Sequence, residues 1–190
     1  MSLLIICPRR FEDPRGWFSE TWNDARLKAA GVDIQFRQDN QSLSRAAGTM
    51  RGLHFQARPH AQAKLVRCIR GRIFDVAVDI RRQSPTFGRW AGLELSADNG
   101  KQLFIPAGYA HGFMTLEPNC EIAYKVDNYY AADCEGGIAW DDPAIGIDWP
   151  IIDSAPVLSD KDAILQPLTS LTVEFPYDGN PLGPLREVAI

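Results

Sequence analysis

Arg51-Gly52-Leu53-His54-Phe55-Gln56 sets an imidazole and an amide two residues apart, and Lys64 follows eight positions after Gln56. Side chains on an extended strand alternate between faces, so the segment separates Arg51, Leu53 and Phe55 from Gly52, His54 and Gln56. A half-buried strand would turn the second set inward, and with it a group that gains and loses a proton near neutral pH. A second histidine lies in Pro106-Ala107-Gly108-Tyr109-Ala110-His111, in a chain that has only three. Two inward imidazoles imply a chemical pocket, whose natural chemistries are proton transfer and metal ligation.

The elements that must position these groups read as strands. Phe74, Val76, Val78 and Ile80 alternate with Asp75, Ala77 and Asp79, and Leu93 and Leu95 alternate with Glu94 and Ser96. Breakers at Gly48, Gly71, Ser84-Pro85, Asn99-Gly100, Pro118-Asn119 and Asp142-Pro143 fall at the spacing of a many-stranded antiparallel sandwich or barrel. Helical pattern is confined to residues 23–30, closed by Gly31, and to residues 159–165. Residues 175–184 read as an irregular arm or a frayed terminus, and the stretch after Leu168 as a whole as an extra strand, an interface arm or a lid. One domain over residues 1–170 with an extension over 171–190 is the expected organisation.

Composition narrows the class. The 190 residues are 45% hydrophobic and 10% aromatic, enough for one substantial core. A net charge of -4 and a pI near 5.4 offer no general attraction to nucleic acid or an anionic membrane, so a phosphate ligand must be held by local Arg and Lys. Cys7, Cys68, Cys120 and Cys134 lack zinc-knuckle or redox spacing, and no signal peptide or membrane-spanning run is evident. Free thiols in a soluble, cytoplasmic protein are the expectation.

Inward positions of a purely structural barrel should be apolar, yet the candidates here are Gln38, Asn40, His54, Gln56, Lys64 and Tyr124. Burying these without partners costs several kcal/mol each, on the order of 2–7 for an amide or hydroxyl, so they should line a wet cup. The spacing from Gly100 through Pro106-Ala107-Gly108 to His111 resembles the second motif of the cupin superfamily. The first cupin motif supplies His-x-His and a later Glu, whereas this chain offers His54-Phe55-Gln56, one imidazole where a metal site needs two. Metal chemistry is the minority reading.

Over residues 11–162 the chain resembles the dTDP-4-dehydrorhamnose 3,5-epimerase family. The resemblance runs through Asp13-x-Arg15-Gly16-x-Phe18-x-Glu20, Gln38-Asp39-Asn40-x-Ser42, Arg51 to Gln56, Gln62-Ala63-Lys64-Leu65-Val66, Asp75 to Arg81, Pro106 to Phe113, Trp140-Asp141-Asp142-Pro143 and Leu158-Ser159-Asp160-Lys161-Asp162. It implies an all-β cupin-type double-stranded jelly-roll barrel with one or two short helices, and a cofactor-free enzyme that inverts C3 and C5 of a dTDP-linked 4-keto-6-deoxyhexose. By that resemblance His54 is the base, Asp162 orients it, Tyr124 returns a proton from the opposite face, and Lys64 faces the developing enolate oxygen. Arg15, Glu20, Gln38, Asp39, Asn40, Arg51, His111, Glu135 and Lys161 match ligand contacts, and Tyr130 matches a residue that stacks on thymine. The resemblance also implies homodimers in which the N-terminal segment, with Arg15 and Glu20, reaches the neighbouring subunit's site. Two departures stand out: Ala132 where the family usually has Pro, and Tyr109 where it commonly has Phe.

Each residue taken singly has a structural reading as well. His111 can close a Pro-Gly turn, Asp162 can cap or pair near Lys161, and Lys64 can be a solvated edge lysine. Three functional alternatives follow: an epimerase acting at C3 or C5 alone or an isomerase of a related sugar nucleotide, a metal-dependent cupin dioxygenase, and a non-catalytic sugar-nucleotide binder.

Overall fold

The computed structural model describes residues 1–152 and 155–190. Its strands are, in chain order, β1 (Leu4–Cys7), β2 (Arg10–Asp13), β3 (Gly16–Ser19), β4 (Gln38–Ser44), β5 (Met50–Gln56), β6 (Lys64–Arg70) and β7 (Arg72–Asp79). They continue with β8 (Trp90–Ser96), β9 (Gln102–Ile105), β10 (Tyr109–Thr115), β11 (Cys120–Val126), β12 (Glu135–Gly137) and β13 (Arg186–Ala189). Two short helices, α1 (Asp24–Ala29) and α2 (Asp160–Ala163), fall where the sequence pattern put them. Leu27 is the buried residue of α1 and the Asn23 side chain caps its N-terminus at 3.0 Å. Burial of one leucine is worth about 1.5–3 kcal/mol, which supplies what a helix of this length lacks alone.

Two sheets face each other as a jelly roll. One has the order β13-β1-β9-β6-β11-β4 and the other β12-β5-β10-β7-β8, while β2 and β3 form a separate hairpin. The pairs within the sheets are antiparallel except β1 with β13. Val66, Cys68, Ile73, Leu103, Phe113 and Ile122 pack together between the sheets. Both outer faces are also covered: Leu27, Val32 and Ile190 pack on the six-stranded sheet, and Ile138, Ile145, Leu168, Leu171 and Phe175 on the five-stranded one.

That second covering explains the orientation of β7. Its apolar set, Val76 and Val78, continued by Ile80 just past its end, points outward beneath Ile138, Ile145, Leu168, Leu171 and Phe175, and the alternate set with Asp75 and Ala77 points between the sheets. A strand buried on both faces has no solvent side for its carboxylates, so Asp75 and Asp79 are both fully buried.

The simple alternation expected for residues 51–56 does not hold. His111 pairs with His54 while Phe113 pairs with Arg51, so β5 carries one more residue than β10 between those pairs, which is a β-bulge at Gly52-Leu53. Gly52 has φ 126° and lies so close to β10 that a Cβ there would sit 2.5 Å from the Cα of Gly112. The bulge resets the phase and brings Arg51 to the same cavity as His54.

The frayed-terminus reading of the tail is likewise replaced. Phe175 packs edge-on to Phe55 at 5.8 Å, and β13 lies parallel to β1, with Leu4 opposite Arg186. Arg81, 2% exposed, donates to both oxygens of Asp79 at 2.9 Å, to the Tyr109 hydroxyl at 2.6 Å and to Asp178 of the tail at 2.9 Å. The tail is thereby an arm ending in an extra strand, tied to the barrel.

Candidate active site

Between the sheets, bordering the apolar cluster through Phe113 and Tyr124, lies a cavity of about 460 Å³. His54 reaches it from β5, Lys64 from the start of β6, His111 from β10, Tyr124 from β11, and Lys161 and Asp162 from α2. The Ser159 hydroxyl caps α2 by accepting from the Asp162 amide at 3.1 Å, which sets the carboxylate at the first turn. Asp162 is 5% exposed and its Oδ1 lies 2.6 Å from His54 Nε2. A carboxylate only accepts, so Nε2 carries the hydrogen and Nδ1 is the nitrogen left with a free lone pair.

Electrostatics suit proton transfer. Burial pulls the His54 imidazole below its ordinary 6.5, Asp162 opposes this, and Lys64 and Lys161 add to it. The ring is therefore a neutral base at pH 7. Burial also pulls the Lys64 ammonium down to about 8, against the upward influence of Asp75 and Glu135. Burial raises the Tyr124 phenol, with Arg51 opposing and Glu135 assisting, so it keeps its proton at neutral pH. A neutral base, a cation and a protonated phenol thus line one cavity.

The nucleotide-contact candidates are distributed. Gln38 and Asn40 face inward along β4 beside Tyr124, whose register partner is Asn40. Gln38 Nε2 donates to Asn40 Oδ1 at 2.9 Å, and Gln38 Oε1 accepts from the Tyr130 amide at 3.1 Å. Tyr130, largely exposed, donates its hydroxyl to Glu135 at 2.9 Å, and Lys161 holds the other Glu135 oxygen. Arg51 is steadied by Ser44 Oγ at 3.1 Å. Of these, Arg51 and Lys161 line the cavity, and the others join it through those hydrogen bonds and the β4–β11 register.

Others lie apart. Asp39 points to the outer face of the sheet, where Lys125 pairs with it at 2.9 Å. Arg15 sits in the turn of the exposed β2–β3 hairpin and Glu20 just after β3, bonded to Asp13 and Asn23 respectively. Gln56, expected in the cup, is 4% exposed and instead clamps two loops: it donates to the His60 and Tyr129 carbonyls and accepts from the Ala131 amide. Among the described residues no group of three or more His, Cys, Asp or Glu is arranged to hold a metal.

One residue was missed. Asp75, fully buried on β7, accepts from His111 Nε2 at 2.8 Å, so a second histidine–aspartate pair stands beside the first, His111 being the register partner of His54. Alternation alone hid it, because Asp75 falls in the polar phase of residues 74–80 and its partner is 36 residues away.

Comparison with known proteins places this geometry. The model of the family described as dTDP-4-dehydrorhamnose 3,5-epimerase matches residues 1–170. A protein of that name from Sinorhizobium fredii is 53% identical over 91% of this chain and 88% of its own length. The crystal structure of dTDP-6-deoxy-D-glucose-3,5-epimerase from Legionella pneumophila, in complex with dTDP-4-keto-L-rhamnose, superposes with a TM-score of 0.88 at 42% identity, covering 93% of this chain and 94% of that one. A 3'-monoepimerase from Streptomyces bikiniensis, in complex with dTDP-quinovose, gives 0.82 at 33% identity, over 89% of this chain and 85% of that one. With a cupin-type jelly roll, a histidine–aspartate dyad in its cavity and similarity along nearly the whole chain, the protein belongs to the dTDP-4-dehydrorhamnose 3,5-epimerase family.

Proposed function

We propose that the chain converts dTDP-4-dehydro-6-deoxy-D-glucose to dTDP-4-dehydro-L-rhamnose, inverting C3 and C5 through enolate intermediates without a cofactor, in dTDP-L-rhamnose biosynthesis. The observation that carries this is the His54–Asp162 pair at 2.6 Å, sharing one cavity with Lys64 and Tyr124. The C4 ketone acidifies the hydrogens on both neighbouring carbons. His54 Nδ1 removes one of them, the electron pair moves onto the C4 oxygen, and Lys64 stabilises that enolate. Tyr124 then delivers its proton to the opposite face of the same carbon, and solvent restores both groups. Asp162 holds the tautomer and stabilises the imidazolium, as the carboxylate does in a Ser-His-Asp triad.

Arg51 and His111 would meet the diphosphate and sugar, and Tyr130, with Gln38, Asn40, Glu135 and Lys161 around it, would hold the thymine. Arg15 and Glu20 do not line the cavity, and Phe11, Trp17, Phe18 and Trp22 beside them are exposed, a surface suited to a homodimer in which the hairpin serves the neighbouring site. Asp39, on the outer face, fits the same interface. A cytoplasmic setting, where sugar nucleotides are made, completes the reading.

Similarity to a monoepimerase keeps one narrower activity in view, inversion at C3 alone. Incubation with the substrate in deuterated water, followed by NMR, separates the two. Deuterium is expected at both C3 and C5 without added metal, and label at one carbon only would assign the narrower activity. Tyr124→Phe should exchange hydrogen without inverting, and His54→Asn should lose about 10²–10⁴ in rate.

A further inference from the structure

Asp75 is a buried carboxylate with one oxygen engaged by His111 and the other, Oδ2, without a hydrogen-bond partner among the described residues. An unpaired carboxylate oxygen in a barrel interior is costly unless a positive charge compensates it. Five elements bring ionisable groups toward Lys64: His54 and Arg51 from β5, Asp75 from β7, His111 from β10, Tyr124 from β11 and Glu135 from β12, with Lys161 and Asp162 from α2 at the edge. Three of these are acidic. Asp162 is engaged by His54, and Glu135 is held by Lys161 and Tyr130 at the rim. Asp75 alone is fully buried and half unpaired.

We propose that Asp75 is a positioning residue for the reaction: its Oδ1 fixes His111 with Nδ1 toward the ligand, and its second oxygen is the countercharge that keeps Lys64 an ammonium within the cavity. His111 is 8% exposed and lines that cavity, so the nitrogen not bonded to Asp75 is the one a ligand meets. Burial works against the Lys64 charge and Asp75 works for it. The enolate needs a cation at that point, since a neutral amine offers a weaker hydrogen bond and no charge. Asp75 thus acts through two other side chains. This role rests on the epimerase reading above.

Asp75→Asn is nearly isosteric and its amide oxygen can still accept from His111, so the variant removes the charge while retaining the hydrogen bond. The basic limb of its kcat/KM profile should fall about one unit below the wild-type position near 8, a loss of about tenfold at alkaline pH, with dTDP affinity unchanged. Asp75→Glu, which keeps the charge, should restore the limb. A basic limb that stays in place, or a rate loss uniform across pH, overturns the proposal. Titration of Lys64 by NMR after reductive ¹³C-methylation gives a readout independent of turnover. A lower midpoint in Asp75→Asn supports the proposal even if the wild type exchanges no substrate hydrogen, an outcome that would sink only the assigned reaction. Asp75→Ser serves if Asp75→Asn does not fold, and failure of both to fold makes Asp75 a folding residue and overturns it.

Discussion

His54 and Lys64 must hold opposite protonation states in the same solution, one stripped of its proton and the other keeping it. Raising pH through the depressed value of His54 frees the base, so activity rises across a limb below 6.5. Raising it further through the Lys64 value near 8 removes the ammonium, so activity falls. A bell-shaped kcat/KM profile with its plateau between these limits is expected, and a flat profile from pH 5 to 9 would remove both residues from the chemistry. His54 was legible in the sequence because a histidine in the inward phase of a strand is unusual. Lys64 and Tyr124 were legible only through resemblance, since each has an ordinary structural role on a strand.

At the scale of elements, β5 and β10 decide whether the two imidazoles are adjacent. The bulge at Gly52-Leu53 requires a residue with φ 126° and no Cβ, because Gly112 Cα and the His111 carbonyl would lie 2.5 and 2.7 Å from one. Gly52→Ala should therefore destabilise the fold by at least about 1–3 kcal/mol of backbone strain alone, read as a lower midpoint in urea. The rate should fall with it, as His54 is pushed away from His111. A variant with unchanged stability and rate would show that β10 yields easily. Period-two pattern announced the strands, but a bulge changes which residues share a face and leaves only a glycine as its mark.

Over the whole molecule, the tail and the barrel are joined through Arg81. Tyr109 supplies the hydroxyl that accepts one of its hydrogens, and Asp178 brings residues 171–190 to the same guanidinium. Arg81→Met strands Asp79, which is fully buried, and should cost about 3–5 kcal/mol in urea unfolding. Asp178→Asn, at a partly exposed site, should cost less than about 1 kcal/mol. Equal losses in the two variants would place the weight of the latch on the tail and not on the barrel.

The strand pattern, the two short helices and the imidazole at residue 54 were determined locally, because alternation, capping and turn chemistry act over a few residues. Tertiary structure decided the rest. Which face of β7 is inside depends on Ile138, Ile145, Leu168, Leu171 and Phe175 covering the other face, Asp162 meets His54 across 108 residues, and Asp75 meets His111 across 36. Asp39 and Gln56 show the converse, polar side chains of the right type whose destinations were set by neighbours distant in the chain. Contacts between remote segments carry no periodicity of their own, so the pairing of each acid with its histidine existed only once the two sheets had closed on each other.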